Sequence, residues 1–160
     1  MVRDPDENHS SELRWLSLER NHLLELPSIV TNLTSLQSLS LSDNYLLELP
    51  PTIGNLSSLR WLSLSGNYLT GLPETMRKLT QLEELSLSSN ELSELPEWMG
   101  DLFSLRSLSV DDNYLTELPG TMENLLQLEE LSVNNNELTI LPGWITRLRT
   151  LSVDDNCLTG

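Results

Sequence analysis

The stretch that decides the fold is LQSLSLSDNYL, which runs from Leu36 to Leu46. It is one copy of the frame L-x-x-L-x-L-x-x-N-x-L, in which Val replaces the third Leu in the last three copies. The first Leu of the frame recurs every 23 residues, at Leu13, Leu36, Leu59, Leu82, Leu105 and Leu128. A seventh copy is shorter, because Asn156 follows Asn136 by only 20 residues. Self-similarity at a fixed period of this length is typical of a stacked solenoid.

The frame also predicts the local structure of each repeat. The two Leu of L-x-L lie on one face of a short strand, since side chains alternate along a strand. Stacked copies bury those Leu in a continuous column, with parallel strands about 4.8 Å apart. A Leu-Pro pair then begins a return segment with apolar residues at i and i+3, as at Ile53 and Leu56, which fits a short helical or 3-10 turn. We therefore expect an α/β solenoid that is right-handed and curved, with the parallel sheet on its concave face and the turns on its convex face.

These motifs carry a family resemblance. The chain resembles the leucine-rich repeat family in its 23-residue, Leu-Pro form. The return from Leu49 to Ile53 is similar to intracellular, Ras-group-like repeats, and the phrase L-S-V-x-x-N-x-L-T at Leu108 to Thr116 is similar to repeats of bacterial secreted effectors. The resemblance implies a horseshoe segment that acts as a binding scaffold.

The repeats also define the domain organisation that we expect. Residues 1–12 are polar and form a leader, and residues 13–160 form one domain of seven repeats, the last shortened and uncapped. Solenoids need a polar cap over their terminal apolar face. We therefore expect the last strand to expose Leu151 and Val153, or to pair end to end with a second copy.

One Asn occupies the same position in every copy of the frame. A carboxamide can both donate to and accept from backbone groups in turns that would otherwise be unsatisfied. We therefore predict a structural Asn ladder. Its members are Asn21, Asn44, Asn67, Asn90, Asn113, Asn136 and Asn156.

Charge and composition narrow the possible partners. Nine Lys and Arg against 24 Asp and Glu give a net charge of −15, which repels nucleic acid and anionic lipid. No apolar run approaches the roughly 20 residues that span a bilayer, so we expect no membrane insertion. A single Cys excludes an internal disulfide, which favours a reducing compartment. The expectation is a soluble, cytoplasmic protein (in the host cytoplasm if it is a bacterial effector). Its expected partner is another protein, and the acidic charge favours one with a basic patch.

The sequence offers little that could perform catalysis. His9 lies in the polar leader, while His22 and Cys157 stand in one repeat column without a second group beside them. The pairs at 111–112 and 154–155 are all Asp, and stacking would cluster their carboxylates as a hard cation prefers. No loop has the order of a dedicated calcium site, so a solvated acidic rim is the favoured interpretation. We expect no enzyme activity, no metal and no cofactor.

The outward strand positions are the best candidates for binding. Trp15 and Trp61 stand outside the Leu pattern, each next to an Arg, and Trp beside Arg is common in interface hot spots. Packing of each Trp on its strand neighbours is the alternative. Acidic residues dominate the C-terminal half of the same surface. The predicted partner-binding residues are Trp15, Tyr45, Arg60, Trp61, Tyr68, Glu84, Asp111, Asp112 and Glu130.

Three functions remain open from the sequence. The first is a non-catalytic module that recognises a protein on its concave face. The second is the substrate-recognition region of a larger secreted effector of the ubiquitin-ligase type, whose catalytic domain this chain lacks; that reading comes from the family resemblance. The third is an engineered repeat protein, against which the unequal exposed columns and the short seventh copy argue.

Overall fold

The computed structural model describes residues 12–159, and these form one open parallel sheet. Each strand is three residues long and pairs with the strands of the neighbouring repeats in chain order. This arrangement confirms the predicted leucine-rich repeat solenoid. The strands are β1 Trp15–Ser17, β2 Ser38–Ser40, β3 Trp61–Ser63, β4 Glu84–Ser86, β5 Ser107–Ser109, β6 Glu130–Ser132 and β7 Thr150–Ser152.

Equivalent residues of successive repeats lie side by side, so the sequence columns become physical columns. Leu85 pairs in register with Leu62 on one side and Leu108 on the other, and all three are buried. The Leu or Val two residues later continues the column on the same face, as Leu87 and Val110 do. The core is therefore a stack of aliphatic layers.

Each return segment is a five-residue 3-10 helix that begins directly after a proline. The Pro50 carbonyl accepts the N–H of Ile53, and the Ile53 carbonyl accepts the N–H of Leu56, which closes two successive three-residue turns. The segments are Ser28–Asn32, Pro51–Asn55, Glu74–Lys78, Glu97–Asp101, Gly120–Asn124 and Gly143–Arg147. No helix among residues 12–159 is long and apolar enough to cross a membrane.

The shortened seventh copy joins the sheet by omitting one turn. Leu148 is extended, with φ −75° and ψ 148°, whereas the equivalent Leu56 has ψ 56° and makes a further turn to Leu59. Leu148 therefore leads directly into β7. Leu151 and Val153 are half-buried, whereas their equivalents in the preceding repeat, Leu131 and Val133, are buried. End-to-end pairing with a second copy stays a prediction, which sedimentation at rising concentration would check.

The position before each ladder Asn has left-handed backbone geometry. Its φ lies between 54° and 71° in all seven repeats, a range that favours Gly, Asn and Asp. This geometry explains why Asp112 and Asp155, the second members of the two acidic pairs, stand where they do. The column consists of Arg20, Asp43, Gly66, Ser89, Asp112, Asn135 and Asp155.

Candidate protein-binding surface

The first residues of the seven strands form a column across the concave face, which we call the tryptophan column. Its members are Trp15, Ser38, Trp61, Glu84, Ser107, Glu130 and Thr150. The register places Trp15 beside Ser38 and Ser38 beside Trp61, so the two Trp are two strands, or about 10 Å, apart. Trp15 is 64% exposed, whereas Trp61 is half-buried. Farther along the column, Glu84 and Glu130 are exposed on β4 and β6. The column is therefore aromatic at its N-terminal end and acidic towards its C-terminal end.

Arg60 stands immediately before β3, at the edge where the strands begin. Its Nε lies 4.0 Å from Glu83 Oε2, and Arg106 Nε lies 3.9 Å from Glu83 Oε1. Ion pairs this long between exposed side chains contribute little to stability. The Arg60 guanidinium therefore retains donors that can bind a partner group.

A shallow depression, which was not predicted from the sequence, lies beside Arg60, Glu83 and Arg106. Its volume is about 510 Å³, and Phe103 contributes an apolar wall although its ring is 59% exposed. The three preceding repeats have Thr or Ser at the position of Phe103. An aromatic residue at this position was the sequence signal that could have indicated the depression. The remaining lining residues are Arg60, Gln81, Glu83, Ser104, Arg106 and Gln127.

Tyr45 and Tyr68 form a stack on the opposite edge of the sheet, beyond the ends of the strands. Their ring centroids are 6.2 Å apart at an interplanar angle of 11°. His22 extends the stack, with its ring 5.5 Å from that of Tyr45 and its Nδ1 3.3 Å from the Tyr45 hydroxyl. From the sequence, His22 was interpreted as an ordinary surface residue. Its position directly after a ladder Asn, equivalent to those of Tyr45 and Tyr68, was the signal that could have predicted this stack. The Tyr edge and Arg60 lie across the sheet from one another.

The Ser between the two core Leu of each strand is already engaged in hydrogen bonds. Ser40 Oγ donates to Glu19 Oε1 at 2.7 Å, and the hydroxyls of Ser42 and Ser63 lie 2.6 Å apart. Similar contacts with the preceding repeat recur at Ser86, Ser109, Ser132 and Ser152. This serine ladder therefore holds neighbouring repeats together.

Asp111 belongs to the serine ladder as well as to the acidic rim. Its Oδ1 accepts from Ser132 Oγ at 2.6 Å and from the backbone N–H of Asn134 at 2.7 Å. Asp112 is exposed, whereas Asp111 is half-buried. Within residues 12–159, no three His, Cys, Asp or Glu side chains converge as a metal site would require. The rim thus combines one structural carboxylate with solvated ones.

Comparison with known protein families identifies the class of this protein. A model described as a leucine-rich repeat region matches residues 8–95, and a second leucine-rich repeat model matches residues 103–158. The chain belongs to the leucine-rich repeat family. A search of curated proteins finds no significant match.

Solved structures show the same fold. A leucine-rich repeat protein of Leptospira interrogans is 30% identical, with a TM-score of 0.82 over 92% of this chain and 44% of its own. An internalin, inlF, of Listeria monocytogenes is 26% identical, with a TM-score of 0.83 over 93% and 43% of the two chains. The leucine-rich repeat domain of the type III effector XopL is 29% identical, with a TM-score of 0.78 over 89% and 52%. The chain thus spans about half the length of each of these structures.

Proposed function

We propose that this chain is a non-catalytic protein-recognition module whose concave face binds a partner protein. Leucine-rich repeat folds generally serve protein–protein interaction. The observation that carries the assignment to this face is Trp15, which is 64% exposed, whereas Leu16 and Leu18 of the same repeat pack against the core. Trp61 and Arg60 complete the anchor group, with Tyr45 and Tyr68 at the opposite edge.

Covering these exposed side chains with a partner surface would stabilise a complex. The free energy falls when a partner covers a large indole that was exposed to water. Trp and Arg are also enriched among the residues that dominate binding. The Leu columns, Asn ladder and serine ladder account structurally for most of the repeat pattern. Trp15 has no such role among the described contacts.

The acidic end of the face favours a basic partner. Glu84 and Glu130 project from alternate strands, and Asp112 lies exposed on the turn that follows β5. Such a field speeds encounter with a positively charged surface and weakens as salt is added, because the Debye length is only about 8 Å at physiological ionic strength. Binding should therefore be faster at low salt.

The decisive experiment compares two concave Trp with one convex Trp. The chain is used to capture a partner, which is then titrated against Trp15→Ala, Trp61→Ala and the control Trp98→Ala. Each concave variant should cost about 2 kcal/mol, or about thirty-fold in affinity. Trp98 packs against the core from the return segment, so thermal unfolding of all three variants must accompany the titration. Weaker binding by Trp98→Ala alone, with both concave variants unchanged, would contradict the assigned face.

A second candidate is the substrate-recognition region of a larger secreted effector. The matched domain of XopL belongs to a type III effector, and this likeness favours the candidate. The same concave face would then select the substrate for a catalytic domain elsewhere in the protein. Sequencing the parent gene past Gly160 distinguishes the two: an open reading frame that continues into a further domain supports the effector, and a stop codon at that point supports the module.

A further inference from the structure

A groove on the loop edge of the solenoid opens between two successive turns, one repeat apart. Its volume is about 430 Å³, and its lining is mostly apolar. Leu47, 63% exposed, forms one rim, and Leu72 lies half-buried in the opposite wall. The other apolar residues of the lining are Leu49, Pro50, Pro51 and Pro73.

The groove exists because one repeat lacks a side chain that its neighbours carry. Gly71 stands in a column that otherwise reads Glu25, Glu48, Glu94, Glu117 and Ile140. A Cβ at position 71 would meet nothing within 4 Å, so the space beside it is open. The following residue, Leu72, is half-buried, whereas its equivalents are buried in four other repeats, at Leu26, Leu49, Leu95 and Leu118. Leu141, in the last of these turns, shares the partial exposure.

The charge around the groove indicates what kind of chain would occupy it. Glu48 is the one charged residue in the lining, and Glu25 and Glu94 stand in the same column on the two sides. No Lys or Arg lines it, in a protein whose net charge is −15. An apolar side chain with a cationic neighbour would bury Leu47 and Leu72 while its charge pairs with Glu48.

The groove continues the aromatic edge described above. Tyr45 and Leu47 flank the buried Leu46, and both are exposed. The Tyr45–Tyr68 stack therefore leads along the chain towards the groove. An Arg or Lys of the bound segment could also lie over these rings, where the attraction between a cation and an aromatic face adds about two- to fivefold in affinity.

We propose that this loop-edge groove is a second docking site, which shares only the Tyr45–Tyr68 edge with the proposed concave surface. Its occupant is an extended segment of a partner protein that carries an apolar side chain next to a Lys or Arg. The groove lies on the loop side of the strands, so the site does not depend on Trp15, Trp61 or Arg60.

A displayed library of random twelve-residue peptides, panned on the full chain, tests the proposal. Enriched peptides should place Lys or Arg within two residues of Leu, Met, Phe or Pro. Gly71→Gln fills the open space without adding charge and should lower their affinity at least tenfold. Glu48→Gln should lower it about fivefold and reduce its dependence on salt.

A matched control separates filling the groove from substituting any glycine. Gly120 also has open space around its Cβ position, on a different turn, so Gly120→Gln should leave peptide affinity unchanged. Equal binding to wild type and Gly71→Gln would overturn the proposal, as would enrichment without basic residues or no enrichment at all. Peptides that lose affinity with Trp61→Ala yet tolerate Gly71→Gln would support the concave face and exclude the groove.

Discussion

The side chain of Asn67 joins two repeats, because its Oδ1 accepts the backbone N–H of Leu46 from the preceding copy at 3.0 Å. The same carboxamide donates to the Leu41 carbonyl of that preceding copy at 3.0 Å and to the Leu64 carbonyl of its own at 3.1 Å. These backbone groups lie in turns where no strand pairing can satisfy them. Each ladder Asn from Asn44 onwards therefore cross-links a repeat to the one before it.

Substitution of Asn90 by Ala should destabilise the protein by about 1–3 kcal/mol, because buried backbone groups lose their partner. Asn90 Oδ1 accepts from Leu69 N, and its Nδ2 donates to the Leu64 and Leu87 carbonyls. Urea unfolding measures the loss. Asn21→Ala is the control, since the exposed Asn21 carboxamide donates only to Glu19 O among the described residues. An equal loss in both variants would contradict the cross-linking role.

Substitution of Leu85 by Ala should cost about 2–5 kcal/mol, the range for opening a cavity in a packed core. Leu85 lies in the middle of the Leu column and is 2% exposed. Leu47→Ala serves as the control, because its side chain lies largely in solvent and its loss should stay within about 0.5 kcal/mol. A loss below about 1 kcal/mol for Leu85→Ala would argue against the strand register.

The architecture was predictable because the residues that build it recur in register. A Leu column and an Asn column every 23 residues can be satisfied only by stacked copies, and the observed register follows them. The left-handed position before the Asn was predictable too, since Gly66, Asn135 and three Asp occupy it. Two of these, Asp112 and Asp155, were instead interpreted as part of an acidic rim.

The candidate surface was less predictable, because its properties depend on contacts between repeats. A Ser recurs at the same position of every strand, but the sequence does not show whether its hydroxyl is free. That depends on a neighbour in the preceding repeat: Ser40 donates to Glu19, which lies two residues after the equivalent Ser17. The loop-edge groove depends on the absence of a side chain at Gly71. Because this Gly occurs in only one repeat, no recurring pattern in the sequence indicates the groove. Single-copy deviations such as Phe103 and Gly71 therefore create surface features that the repeat pattern does not predict.

Asp111→Ala should destabilise the protein by about 0.5–2 kcal/mol, because Ser132 Oγ and Asn134 N lose a charged acceptor. Asp112→Gly removes the same charge one residue later, and Gly tolerates the left-handed φ of 54° at that position. Its stability should stay within about 0.5 kcal/mol of wild type. Chemical unfolding of the pair separates a structural carboxylate from a solvated one. If both variants lose the same stability, the contacts of Asp111 contribute nothing beyond charge.

Gly54→Ala should destabilise the protein by about 1–3 kcal/mol, the cost of overpacking a close contact. An added Cβ would lie 2.5 Å from the Thr75 backbone oxygen and 2.9 Å from its Cβ, and Thr75 is itself held by a hydrogen bond of its Oγ1 to Pro51 O. The same crowding recurs 46 residues later between Gly100 and Thr121, so it is a feature of alternate turns. Gly71→Ala is the matched control, because its Cβ would meet nothing within 4 Å. The substitution should be neutral, or stabilise the protein by about 0.4–1 kcal/mol because it lowers the conformational entropy of the unfolded chain. The free energy of unfolding, measured in urea, should therefore fall in Gly54→Ala and stay the same or rise in Gly71→Ala. A Gly54→Ala protein as stable as wild type would show that the turns do not approach so closely.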